Sequence, residues 1–262
     1  ARRVRRIEHP IIEPSLFASA VFRRANLAAF CFGAAFLTVL IFLPLFMVQV
    51  VGVSATGAGV AIMPLSLGVV AGSTLAGQLA AKFERVRTLM LVAIGILSVG
   101  MIALATIDES TSYATITLIM VLCGVGIGPS FPLYTLATQN AVDTRRLGQA
   151  TSAVQFFRQM GGTSGVAVMG AVLAFALATH PSGVEGVVQA VPSGGVLDLE
   201  LAGEGLTSAT AATSPRAFAD ALQLLFRLAL GFVAVGAWAT LRLPDQRLRR
   251  THEPTEPSPK PR

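Results

Sequence analysis

From Ala25 to Ala81 the chain carries no Asp, Glu, Lys or Arg, and the same holds from Thr88 to Ile107 and from Ser110 to Val142. Few folds tolerate such gaps. Soluble domains draw about a quarter of their residues from those four types, because their surfaces need charge. Here the share is 13%, against 53% hydrophobic residues. A helix needs about 20 apolar residues to cross the roughly 30 Å hydrocarbon core of a bilayer, and each gap holds at least one such length. The runs are continuous rather than alternating in segments of about ten, which argues against a β-barrel. The chain reads as an all-α integral membrane protein.

Turn-like and polar clusters divide the runs into six expected spans, near 25–50, 58–81, 88–107, 113–138, 148–178 and 218–241. The domain organisation expected from them is a juxtamembrane segment 1–24, a six-helix transmembrane domain 25–243 and a tail 244–262. That tail is rich in Pro and polar residues, a composition that disfavours a packed core. The chain opens without Met inside a charged segment, as a fragment would.

Lys and Arg concentrate in short loops on the cytoplasmic side of membrane proteins. If six spans alternate, Arg23, Arg24, Lys82, Arg85, Arg87, Arg145, Arg146, Arg242 and Arg247 fall on one side. The other side holds Asp108, Glu109 and a segment 179–217 with Glu185, Asp198, Glu200 and Glu204 against the single Arg216. Both ends of the segment are therefore expected in the cytoplasm of a plasma (inner) membrane protein. The net charge of +6 is juxtamembrane charge facing the lipid bilayer rather than a groove lined by cations and aromatics, so no nucleic acid partner is expected. Cys31 and Cys123 fall within spans as small hydrophobes. No metal site and no cofactor is expected.

Small residues four apart let membrane helices approach closely. Gly68, Gly72 and Ala76 have that spacing, as do Gly124 with Gly128 and Gly161 with Gly165. Pro44, Pro64, Pro129 and Pro132 lie inside spans, where each removes a backbone hydrogen bond and favours a kink. Kinked, closely packed helices suit a protein that rocks between states, and they also occur in static bundles.

The stretch FFRQMGGTSG places a permanent cation, Arg158, about ten residues into the fifth span. Helical spacing puts Gly148, Thr151, Ser152, Gln155, Arg158, Gln159 and Gly162 on one stripe. A cation against lipid tails costs at least ~2.5–3.5 kcal/mol, so the stripe is expected to face protein or water. Two readings of Arg158 stand: it lines a polar path or gate, or it is held by backbone carbonyls of a kinked neighbour. Arg227 in the sixth span shares a face with Asp220 and Gln223, an arrangement expected to neutralise the buried charge. Gln49 closes the first span as a further candidate for lining a path. The spans hold no carboxylate other than Asp220 near an end, and no histidine, so a proton carrier of the usual kind is missing from this segment.

Read in order, these motifs resemble the C-terminal half of a major facilitator superfamily transporter, in particular the fourteen-span drug:proton antiporters of the EmrB/QacA type. FLPLFMVQVVGVSATGAGVAIMPLSLG, GVGIGPSFPLYTLATQNAV and RRLGQATSAVQFFRQMGGTSGVAVMGAV carry the likeness. GQLAAKFERVR resembles a degenerate cytoplasmic signature loop: Gly77, Lys82, Arg85 and Arg87 match, while Ala81 replaces the acidic residue. The resemblance implies a six-helix half-bundle and alternating access by rocking. It also implies an N-terminal half of the same full-length chain as partner, protons carried there, and small amphipathic substrates. Under it the path or gating candidates are Arg158, Gln155, Gln159, Thr151, Gln49 and Arg227. Gly124, Gly128, Pro129, Gly161 and Gly165 serve packing and kinking.

Other function classes remain open at this point. A stand-alone six-helix scaffold, or a half-size transporter that dimerises, fits the same hydropathy. The run Gly162-Thr163-Ser164-Gly165 matches the G-x-S-G of intramembrane serine proteases, but that chemistry needs a His on another span, and His9, His180 and His252 all lie outside them. A transporter segment without enzymatic activity is the expectation.

Overall fold

The computed structural model describes residues 14–83, 86–107, 111–179 and 215–244. Arg85 of the signature-like loop, most of the outer segment 179–217, residues 1–13 and the tail beyond 244 lie outside the described residues.

Among the described residues the protein is all helix, and six stretches are long and apolar enough to cross a bilayer. It is a multi-pass integral membrane protein, as the charge gaps predict. Helix α1 is Ala20–Gln49, α2 Ala55–Phe83 and α3 Val86–Leu104. The fourth span is two helices, α4 Tyr113–Ile127 and α5 Ser130–Asn140. The last two are α6, Leu147–Thr179, and α7, Pro215–Leu241. At 30 residues, α1 is about 45 Å long. It starts where the Ser19 hydroxyl accepts from the Phe22 amide at 3.4 Å, and it is followed by Gly52, whose φ of 76° suits a residue without a Cβ.

Helix α1 is the core of the bundle. It packs most extensively on α6 and α7, and Phe22, Phe42, Leu43, Phe46 and Met47 are fully enclosed. Lipid is as apolar as leucine, so close packing rather than water exclusion must hold such helices together. Two glycine seams provide it. A Cβ on Gly161 of α6 would collide with the Phe30 carbonyl of α1, and one on Gly165 would lie 2.6 Å from the Ala34 Cβ. Likewise Gly68 and Gly72 of α2 press on α4, where added Cβ atoms would come within 2.6 Å of the Val121 and Val125 carbonyls. Gly124 and Gly128 answer from the other side, against the Leu65 and Val69 carbonyls.

The prolines behave unequally. Helices α1 and α2 run on through Pro44 and Pro64, whereas the fourth span breaks at Gly128–Pro129. Pro129 and Pro132 are three apart, so two N–H donors are missing within one turn. The Phe131 amide reaches only back to the Gly128 carbonyl, at 3.1 Å, a tightened turn between α4 and α5. The span expected near 113–138 is one crossing, Tyr113–Asn140, made of two helices at the kink its prolines favour.

Candidate functional site

The break leaves α5 as a short helix packed against α1, α2, α3 and α6, and most of the buried polar contacts among the described residues meet on it. Arg158 of α6 is 5% exposed. Its Nη2 donates to the carbonyls of Ser130 and Phe131, long bonds of 3.3 and 3.4 Å, and its Nη1 donates to Gln155 Oε1 at 2.8 Å. The guanidinium lies over the Phe131 ring, with Cζ 4.4 Å from the centroid. Phe131 in turn meets Phe36 of α1 edge-on at 5.7 Å. A cation on an aromatic face gains most where water is excluded, and a planar guanidinium suits both stacking and carbonyl contacts. The Nε hydrogen remains buried without an acceptor.

One turn further along α5, Tyr134 stacks on Phe32 of α1 at 5.5 Å. Its hydroxyl pairs with Thr240 Oγ1 of α7 at 2.6 Å, and Thr240 also donates to the Gly236 carbonyl. Near the end of α5, Gln139 Nε2 donates to Thr151 Oγ1 of α6 at 2.9 Å. The short helix is thus joined by named polar contacts to α6 at two levels and to α7 at one. Phe131, Tyr134, Gln139 and Thr240 are absent from the sequence-derived candidates. Only a buried tyrosine's need for a hydroxyl partner could have singled one of them out.

The polar stripe of α6 divides. Ser152, Gln155, Gln159 and Thr163 are exposed on the outer face of the bundle, Thr151 is half-buried, and Arg158 turns inward. The stripe therefore runs from the outer face to the seam with α5, with Gln155 joined to the buried Arg158. The Arg158 side chain meets the carbonyls and the ring of α5 and keeps a hydrogen bond to Gln155 on its own helix. Gly161 and Gly165 are buried in the seam with α1, and Ser164 is exposed. The described residues include no histidine, so no base accompanies that serine among them.

On α7, Arg227 is exposed, and its Nη2 reaches Gln223 Oε1 at 3.2 Å. Gln223 Nε2 donates to the Ile107 carbonyl beyond the end of α3, at 2.8 Å. Asp220 is exposed on the same helix, and the partner Arg227 reaches is Gln223, the residue between them. Gln49 is half-buried at the end of α1. In the signature-like loop, Gly77 has open space where a Cβ would sit and Lys82 is exposed. Arg87 Nη2 donates to the Leu241 carbonyl of α7 at 2.7 Å.

The Major Facilitator Superfamily model matches residues 2–166. The chain is similar to Multidrug resistance protein 3 of Bacillus subtilis, 35% identical over 170 residues, covering 64% of this chain and 33% of that protein. An uncharacterised MFS-type transporter of Mycobacterium tuberculosis is 32% identical over 248 residues, 93% of this chain and 35% of that protein. Multidrug transporter protein MdtP of Bacillus subtilis is 36% identical over 169 residues, 63% of this chain and 30% of that protein. The chain spans about a third of the length of these curated relatives. A family match across well over half of the chain, joined to six membrane-crossing helices sealed by glycine seams, places the protein: it belongs to the Major Facilitator Superfamily.

Proposed function

We propose that the chain is the C-terminal half-bundle of a proton-driven multidrug exporter of the fourteen-span antiporter type, working by alternating access. The observation that carries this reading is the exposed polar stripe of α6. Ser152, Gln155, Gln159 and Thr163 lie on the outside of a helix that crosses a membrane, and polar side chains at that depth belong against water or protein rather than lipid. A second half-bundle facing α6 across a wet cavity gives them that environment. Likeness to two multidrug proteins supports the substrate class, small amphipathic molecules. The only carboxylate among the described spans is Asp220, near one end of α7, so the coupling protons are assigned to carboxylates of the N-terminal half.

In this reading residues 25–243 form the transmembrane domain, flanked by a segment 1–24 and a tail 244–262. The end of the bundle that carries Arg23, Arg24, Lys82, Arg87, Arg145, Arg146 and Arg242 faces the cytoplasm. Arg158 braces the broken fourth span, and Gln155, Gln159 and Thr151 border the path.

Dye efflux from energised cells tests the assignment, comparing this 262-residue chain with a version that includes its native upstream sequence. Export by the longer protein alone, abolished by a protonophore, is the expected result. Export by the short chain alone would make it a half-size transporter working as a dimer. Export by neither would favour a membrane scaffold.

A further inference from the structure

The end of α7 is held by arginines from two other helices. Arg87, on the first turn of α3, donates to the Leu241 carbonyl, and Arg24, on the first turns of α1, donates to the Arg242 carbonyl. Lys and Arg commonly satisfy the orphan carbonyls at a helix C-terminus, where the macrodipole favours a cation. Here, however, two guanidiniums converge on consecutive carbonyls. A third cation, Arg242 itself, lies over the Trp238 ring with Cζ 4.8 Å from the centroid. A helix C-terminus supplies only about half a negative charge, little against three cations. The carboxylates among the described residues are Asp143 and Asp220, and neither pairs with any of the three.

Hydrogen bonding is as lopsided as charge. A guanidinium has five N–H donors and no acceptor, and the contacts to Leu241 and Arg242 use one donor from each of Arg87 and Arg24. Arg87 Nε is buried with no acceptor at all. Directly along α7 the surface turns apolar: Trp238 is 50% exposed, and Val235 and Leu241 are exposed beside it. Tryptophan at this level is typical of the boundary between headgroups and acyl chains.

We propose that this cluster, Arg24, Arg87 and Arg242 above Trp238, is a binding site for the headgroup of an anionic phospholipid, with an acyl chain lying along the apolar face of α7. The phosphate oxygens would accept from the free guanidinium donors, since planar guanidiniums match phosphate geometry, and basic pockets between membrane helices recognise such headgroups. Occupancy would tie the ends of α1, α3 and α7 together, so the lipid would act as a brace. The site differs from general attraction to the membrane surface in requiring these particular arginines. Arg145 and Arg146, which lie toward the same end of the bundle in the loop before α6, provide the control.

The test is native mass spectrometry of the complete protein in neutral detergent, titrated with phosphatidylglycerol or with phosphatidylcholine of the same chains. Phosphatidylglycerol should be retained and phosphatidylcholine washed away. Arg242→Gln and Arg87→Gln should each weaken retention about fivefold, the worth of roughly one surface cation, while Arg145→Gln with Arg146→Gln leaves it unchanged. Arg242→Gln is the decisive variant, because Arg242 offers only its backbone carbonyl to the helix end and both caps survive. Thermal unfolding without lipid should be the same for Arg242→Gln as for the parent, and phosphatidylglycerol should raise the parent's midpoint more than the variant's. Equal retention of phosphatidylcholine would overturn the proposal, as would equal losses from the Arg145 and Arg146 pair. Displacement of the lipid by excess inorganic phosphate would make the cluster a free-anion site and overturn the lipid assignment.

Discussion

A guanidinium enclosed in a membrane domain must find acceptors for its N–H groups, and Arg158 finds them on a helix interrupted by proline. The Ser130 and Phe131 carbonyls lie just past the break, and the Phe131 ring covers the cation. Hydrogen bonds to charged groups are worth about 1.5–3 kcal/mol each way, so Arg158→Ala should lower dye efflux roughly ten- to hundredfold while membrane abundance stays near that of the parent. Arg158→Lys should fall between, because an ammonium keeps the charge and loses the planar stacking. The check is efflux rate normalised to protein in the membrane, and parental efflux by Arg158→Ala would reduce the residue to packing. Ser164→Ala should be nearly silent in the same assay, since its side chain faces outward beside a seam made by glycines. At this scale the anomaly was legible in the sequence, and a hold by carbonyls of a kinked neighbour was one of two readings it offered, but not which carbonyls. A cation amid apolar residues is visible from composition alone. The carbonyls that satisfy it lie 27 and 28 residues earlier, and only the packing of α5 against α6 brings them near.

Elements were the most legible level, because the absence of charge over a membrane-crossing length leaves a chain little else to form. What the pattern could not decide was which proline would break its helix. Pro44 and Pro64 stand alone in long runs that continue through them, whereas Pro129 and Pro132 remove two donors within one turn. The glycines likewise look alike in sequence and differ in the fold. Gly161 sits where a Cβ would collide with the Phe30 carbonyl, while Gly170 and Gly231 have open space. Gly161→Ala should therefore destabilise the bundle by about 1–3 kcal/mol, the usual cost of overpacking. It should lower the thermal midpoint of the purified protein. Gly170→Ala on the same helix should be neutral or slightly stabilising, because alanine is the better helix former. Equal midpoints for the two variants would mean that α1 and α6 are not pressed together at Gly161.

At the scale of the whole molecule, the bundle is asymmetric in a way that assigns its surfaces. The exposed faces of α3 and of α7 beyond Arg227 are largely apolar, with Val92, Val99, Val235 and Trp238, whereas that of α6 interleaves Phe156 and Met160 with Ser152, Gln155, Gln159 and Thr163. Gln159 is the thirteenth residue of α6, about 18 Å from its start, too deep for a glutamine to face lipid at no cost. Both cysteines of this chain are buried, so in a background cleared of any cysteines outside it an introduced thiol can be read. In the complete protein Gln159→Cys and Gln155→Cys should react with a membrane-impermeant maleimide, and substrate dye should slow the reaction. Val99→Cys and Val235→Cys should stay unmodified, because the thiolate that reacts does not form in hydrocarbon and the impermeant reagent does not enter it. Labelling of all four positions would mean that the bundle is not seated in the bilayer as its hydropathy requires. Protection of Gln159→Cys with and without substrate would place the stripe in a dry contact with the opposing half, and would move the path away from α6. Labelling confined to the two glutamine positions, and relieved by dye, would make α6 the wall along which substrate crosses.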